Sequence, residues 1–287
     1  MEYVTLNNGV KMPMVGLGSH MIPNDQMNKV IGTAYEVGYR KIDTAWLYGN
    51  EGFIGKALKE NGIPREEMFI TSKLNINNLY WHGYHQRMPN IRIRSVRRAF
   101  EESCKRLGTD YLDLYLLHWP SSGYEKQWED VTKLYDEGRI RAIGVSSFLP
   151  KHLERLFSIS SIVPAVNQFE LNPINSQVDE TRYNQSKGIQ VEAYASFGTT
   201  KDRETASSEI LGHQNILSIA ETHKKTPSQI VLHWTVQRGV TVIPRSKSRE
   251  HLAENLNIFD FNLTEEEMAA IYAMNQNRYS RGNPHIE

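Results

Sequence analysis

The sequence predicts an α/β protein, a (β/α)8 TIM barrel with an N-terminal β-hairpin, formed by one domain across residues 1–287. Three observations predict it. Short runs rich in Val, Ile, Leu and Tyr alternate with helical patterns, eight times over. No Pro/Ser-rich linker, charge block or repeat divides the chain, so the alternating units share one core. The residues that end the runs are unusually polar, as expected where strand ends meet at one rim.

The hairpin comes first. VTLNNGVKM carries Asn8-Gly9 at its turn, a pair that accepts the positive φ angles of a tight hairpin. The eight runs then follow as MVGLG (14 to 18), YRKID (39 to 43), MFITS (68 to 72), YLDLYLL (111 to 117), IRAIGV (140 to 145), VPAVN (163 to 167), IQVEAY (189 to 194) and VTVI (240 to 243). Of the helical stretches, residues 96 to 107 are the clearest: Val96, Ala99, Phe100, Cys104 and Leu107 recur at three- and four-residue spacing, and Gly108 stops the pattern. In TPSQIVLHWTVQR (226 to 238), Thr226 is the expected N-cap and Pro227 opens the first turn. The rival architecture is an open doubly wound sheet, whose first turn normally carries G-x-G-x-x-G. Here that turn reads GLGSHM and lacks the third glycine; a tight turn accounts for Gly16 and Gly18 equally well.

Composition narrows the function. Lys plus Arg and Asp plus Glu are 33 each, so there is no basic field to condense on nucleic acid or an anionic membrane. MEYVTLNNGV lacks the basic and apolar regions of a signal peptide, and no apolar run approaches the ~20 residues of a membrane helix. A soluble, cytoplasmic protein is expected, a monomer or weak dimer. Cys104, the only cysteine, reads as a half-buried inert thiol.

The strand ends carry the chemistry. They are Asp43, Ser72-Lys73, His118, Ser146-Ser147, Asn167-Gln168, Tyr194 and Arg245-Ser246. In KIDTAWLYGNE (41 to 51), Asp43 leaves a buried strand and Tyr48 follows in the next loop. An isolated buried carboxylate costs several kcal/mol, and Lys73 on the neighbouring strand is the natural counter-ion. A structural ion pair does not explain why a tyrosine and His118, in YLLHWP (115 to 120), join it. An ammonium within roughly 4 to 6 Å favours a phenolate over a phenol, so Tyr48 is expected to give up a proton near neutrality. A neutral His118 is expected to donate a hydrogen bond to the same substrate oxygen.

IDTAWLYGNE, ITSK, DYLDLYLLHWP, GVSSF, VNQFELNP and VIPRS, in this order and spacing, resemble the aldo-keto reductase family over nearly the whole chain. The likeness is to bacterial-type members with a short C-terminal loop, of the 2,5-diketo-gluconate reductase kind. The resemblance implies that Asp43, Tyr48, Lys73 and His118 form a catalytic tetrad, and that the reaction is NADPH-dependent reduction of a small aldehyde or ketone. It also implies that Ser146, Ser147 and Gln168 hold the nicotinamide amide, that Tyr194 stacks beneath the ring, and that Ser19 joins the cofactor site. Ser147 stands where the family usually has asparagine. AYASFG replaces the usual Tyr-Ser-Pro-Leu-Gly, which leaves Ala195, Ser196 and Phe197 along the pyrophosphate path.

IPRSKSREHLAEN places Arg245, Ser246 and Lys247 before a helix, where free N–H groups and the dipole favour an anion such as a 2′-phosphate. Arg245 replaces a common lysine and is capable of bidentate binding, which favours NADPH over NADH. His251 replaces a family arginine near the adenosine, while Glu254 and Asn255 match the adenine-contacting pair. The resemblance puts His20, Trp46, Trp81 and Trp119 around the substrate mouth, with Trp81 in a segment (74 to 91) longer than usual. The tail after Met274 is short, so an open pocket with broad tolerance is expected.

Other chemistries fit less well. His82 and His85 lack a third ligand nearby, so no metal is expected. GVSSF lacks the second glycine of a nucleophile elbow, which disfavours a serine hydrolase. A nicotinamide-sensing accessory subunit with little turnover is the main alternative within the family, and sugar-phosphate isomerisation the alternative within the fold.

Overall fold

The computed structural model describes residues 2–74, 95–198 and 209–280. Strands β1 (Tyr3–Thr5) and β2 (Lys11–Pro13) form the antiparallel hairpin, with Gly9 at φ 84° in its turn. Strands β3 (Leu17–Gly18), β4 (Lys41–Asp43), β5 (Phe69–Leu74), β6 (Leu112–Leu117), β7 (Ile140–Ser146), β8 (Val166–Glu170), β9 (Gln190–Tyr194) and β10 (Thr241–Val242) pair in parallel in chain order. The sheet closes on itself. Val15 bridges Val242, Val242 N donates to Met14 O at 2.9 Å, and Gly16 N donates to Val242 O at 2.8 Å. Each of the eight sequence runs overlaps a strand of this barrel, VPAVN only by its last two residues.

Helices pack around it: α1 (Met27–Val37), α2 (Glu51–Glu60), α3 (Val96–Leu107), α4 (Tyr124–Asp136), α5 (Pro150–Phe157), α6 (Val178–Ser186), α7 (Gln214–His223), α8 (Pro227–Gln237), α9 (Arg249–Leu256) and α10 (Glu265–Tyr272). The predicted stops hold. Gly108 ends α3 at φ 71°, and Thr226 opens α8 in a reciprocal cap with Gln229, each side chain bonding the other's backbone N–H. Such a cap is worth about 1 kcal/mol. Cys104 is buried in α3, and burial pushes its thiol up to about 12, as an inert thiol requires.

Period-two alternation decides what enters the lumen. On β6, Leu114 and Leu116 turn inward to a cluster with Phe69, Ala142, Val166 and the hairpin residues Leu6 and Met12, while Tyr115 and Leu117 face the helices. The hairpin thus closes the barrel floor. The same parity on β4, β5, β8, β9 and β10 turns Asp43, Lys73, Gln168, Glu192 and Thr241 toward one another above that floor. The two glycines of GLGSHM serve the seam. A Cβ on Gly16 would stand 2.9 Å from Lys41 Cγ, and one on Gly18 would stand 2.6 Å from Ile243 O.

Candidate active site

Lys73 is fully buried at the upper end of β5, and its ammonium meets three oxygens. It donates to Asp43 Oδ1 at 2.6 Å, to Thr44 O at 2.9 Å and to the Tyr48 hydroxyl oxygen at 3.4 Å. Three donors meet three acceptors, so the ammonium is satisfied without water. Burial alone would lower the Lys73 pKa; Asp43 and Tyr48 outweigh it, and the net direction is upward. Burial raises Asp43, with Lys73 and Gln168 working against it.

Tyr48 ends a short 3-10 turn, Trp46–Tyr48, closed by Gly49 at φ 66°. Asn50 pins that turn from below. Its Oδ1 accepts from Thr44 Oγ1 at 2.7 Å, and its amide donates to Ser19 O at 3.0 Å and Ser19 Oγ at 3.1 Å. Ser19 is therefore buried and engaged with the loop that carries Tyr48. The rings of His20 and His118 flank the phenol, at 4.6 Å and 5.9 Å between centroids. Trp119 stacks beside His118 at 6.2 Å.

His118 is buried, and its Nδ1 has no hydrogen-bond partner among the described residues. Burial, then the charge of Lys73 and then His20, hold its pKa well below the ordinary histidine value. The imidazole is neutral at pH 7 and can offer one N–H to a substrate oxygen.

Around this cluster lie Ser146 and Ser147 at the end of β7. Ser147 adopts φ 59°, a left-handed backbone that a serine rarely takes, and its buried Oγ has no partner among the described residues. The Ser147 backbone is held by N–H donation to Gln168 O at 2.9 Å. Tyr194 ends β9 half-buried; past it, Ala195 is left-handed at φ 54°, Ser196 buries a second hydroxyl without a partner among the described residues, and Phe197 packs on the core. Arg245 is exposed; Ser246 Oγ accepts from Ser248 N at 3.2 Å, and Ser248 caps α9 by accepting from His251 N at 3.4 Å. Lys247 and His251 are exposed, Glu254 is half-buried and Asn255 is buried.

Several residues lie elsewhere than the rim or outside its description. Trp46 is buried in the core cluster, with the Arg106 guanidinium of α3 at 5.4 Å over its ring. Its neighbour Leu47 is the half-buried side chain beside Tyr48. Trp81, His82 and His85 lie outside the described residues. Among the described residues no group of three His, Cys, Asp or Glu could hold a metal ion, and no helix is long and apolar enough to cross a membrane. Sequence reasoning missed Lys41 and Glu192. Their buried ion pair sits inside the barrel, and the available signal is a charge within each of two strand runs, YRKID and IQVEAY.

Known proteins share this architecture and its order. The model of the Aldo/keto reductase family matches residues 13–276. A glyoxal reductase of Bacillus subtilis (strain 168) is 40% identical over 288 residues, spanning 99% of this chain and 96% of that protein. A morphine 6-dehydrogenase of Pseudomonas putida is 40% identical over 276 residues, spanning 93% of this chain and 89% of that protein. The crystal structure of a single-residue mutant of Gox0644 in complex with NADPH superposes with a TM-score of 0.86 at 35% identity, covering 100% of this chain and 98% of that one. The matched residues run from the hairpin through the last helix, with the rim at the strand ends included, and the chain belongs to the aldo/keto reductase family.

Proposed function

We propose that this chain is an NADPH-dependent reductase of aldehydes or ketones, acting as one barrel domain on small carbonyl substrates. The observation that carries the reading is the Lys73 ammonium, bonded at once to the Asp43 carboxylate and the Tyr48 phenol. An accessory subunit without turnover would have no use for that arrangement beside a neutral imidazole.

The residues fit the cofactor. Ser147 and Ser196 bury hydroxyls without partners among the described residues along the ends of β7 and β9, and buried polar atoms ordinarily have partners. Ser146, Ser147 and Gln168 would hold the nicotinamide amide, Tyr194 its ring face, Ala195 to Phe197 the pyrophosphate, and Arg245, Ser246 and Lys247 the 2′-phosphate before α9. His251, Glu254 and Asn255 would border the adenosine. That a relative of high similarity binds NADPH supports the same choice here. Bound NADPH supplies a hydride to the carbonyl carbon.

Tyr48 delivers the proton to the carbonyl oxygen as negative charge gathers there. Lys73 favours the resulting phenolate, and Asp43 holds Lys73 in place. His118, kept neutral by burial, donates its hydrogen bond to the same oxygen and orients the carbonyl. His20, Leu47 and Trp119 border the substrate. Relatives named for glyoxal and for morphine differ so much in substrate size that broad tolerance is the natural expectation. We also infer a cytoplasmic enzyme, monomeric or weakly dimeric. The test is NADPH oxidation with a panel of aldehydes, ketones, keto acids and sugars; no turnover with any of them, alongside tight NADPH binding, would favour the accessory role instead.

A further inference from the structure

Beneath the proton donor the barrel holds a second ion pair, linked to the first through one amide. Lys41 and Glu192 are both fully buried and paired. Glu192 Oε1 also accepts from Thr241 Oγ1 at 3.1 Å, and its Oε2 accepts from Gln168 Nε2 at 2.7 Å. The same Gln168 nitrogen donates to Asp43 Oδ2 at 2.8 Å. Both amide hydrogens are therefore committed to carboxylates on strands β4 and β9. A flipped amide would set its carbonyl oxygen against two anions, so the orientation is fixed by charge.

We propose that Lys41 and Glu192 are positioning residues for the proton donor, acting through Gln168 on Asp43 and so on the Lys73 ammonium that faces Tyr48. The inference rests on the carbonyl-reduction reading above and deepens it. The cluster is balanced: Asp43 and Glu192 against Lys41 and Lys73. In a dry interior its charges are felt at Tyr48 with little screening. Glu192 adds negative potential at both Asp43 and Lys73, which appears as an upward push on each. Lys41 offsets it and holds Glu192 below its ordinary carboxylate value against the opposing effect of burial. Tyr48 is otherwise faced by His20 and the neutral His118, which none of the variants below touches.

The two charges have opposite effects on a phenolate. Lys41→Met removes a positive charge, and the basic limb of the kcat/KM pH profile moves up. Glu192→Gln removes a negative charge, and the limb moves down. Each shift is expected to be roughly half a pH unit or more, and the double variant returns close to wild type. Thr241→Val is the milder variant should either single fail to fold. It keeps both charges, removes one hydroxyl donor from Glu192, and moves the limb upward.

The experiment measures benzaldehyde reduction by NADPH from low to high pH for these variants and wild type, with melting temperature and NADPH-induced fluorescence quenching as checks on folding and binding. Shifts of opposite sign with NADPH binding retained are the expected result. A uniform loss of rate with an unmoved limb, or shifts of one sign, would overturn the inference and leave a purely structural ion pair. Wild type without turnover, or a Tyr48→Phe variant that keeps full turnover, would instead defeat the reduction reading itself.

Discussion

The Lys73 ammonium stands 3.4 Å from the Tyr48 hydroxyl oxygen while holding Asp43 at 2.6 Å, so the phenol and the carboxylate share one cation. Tyr48→Phe keeps the ring and removes only the proton donor. The expected loss in kcat is about 10²- to 10⁴-fold. Lys73→Met should fall in the same range, and the double variant should be little worse than either single, because the two act as a unit. NADPH-induced quenching of tryptophan fluorescence should survive in Tyr48→Phe. Steady-state rates of the three variants check the non-additivity; multiplicative losses would mean that the two side chains act separately.

Ser147 combines a left-handed backbone at φ 59° with a buried hydroxyl that no described residue satisfies. Asparagine tolerates that backbone better than serine and brings an amide with two donors and an acceptor. Ser147→Asn should therefore raise the melting temperature by about 1–3 °C and tighten NADPH binding. Ser147→Ala should weaken NADPH binding without the gain in stability. Thermal unfolding with and without NADPH checks both. A Ser147→Asn protein that melts lower and binds NADPH less tightly would mean that the site is shaped around the smaller hydroxyl.

How far the sequence discloses this molecule follows from the range of each signal. The eight strand runs, the hairpin turn at Asn8-Gly9 and the stop at Gly108 are local patterns, and each appears where its residues predict. Asp43, Tyr48, Lys73 and His118 are legible because strand ends in a parallel barrel share one rim, and polar groups there demand a reason. The Lys41–Glu192 pair is not legible in this way. Its members are 151 positions apart, and only the closing of the barrel brings them together. Trp46 shows the opposite limit. Standing two residues before Tyr48, it reads as a neighbour of the site, but the 3-10 turn sends it into the core under Arg106.

Arg245 is exposed just ahead of the Ser248 cap of α9, where an anion gains from free N–H groups and the helix dipole. If it clamps a 2′-phosphate, Arg245→Ala should raise the NADPH dissociation constant about ten-fold while leaving NADH binding nearly unchanged. The preference should also weaken with ionic strength, because an exposed cation is readily screened. Paired titrations with the two dinucleotides at low and high salt read this directly. Equal losses for both would move the selectivity away from Arg245.

His118 links the site to stability through its protonation. Burial first, then Lys73 and His20, depress its pKa in the folded protein, whereas the unfolded chain titrates near 6.5. Between those two values the unfolded state binds a proton that the folded state refuses, so folding is disfavoured as the solution becomes more acidic. The contribution is fully present above about pH 6.5 and is lost as pH falls toward the folded value. His233, lowered chiefly by burial, acts in the same direction. The melting temperature should fall between pH 7 and pH 5, and His118→Gln should flatten part of that slope while leaving the His233 share. The same depression predicts a kcat profile without an acidic limb near pH 6.5, since the imidazole takes up a proton only at lower pH. An acidic limb at that pH which disappears in His118→Gln would mean that the imidazole takes up its proton near the ordinary histidine value in the working enzyme, against the depression that burial and Lys73 impose.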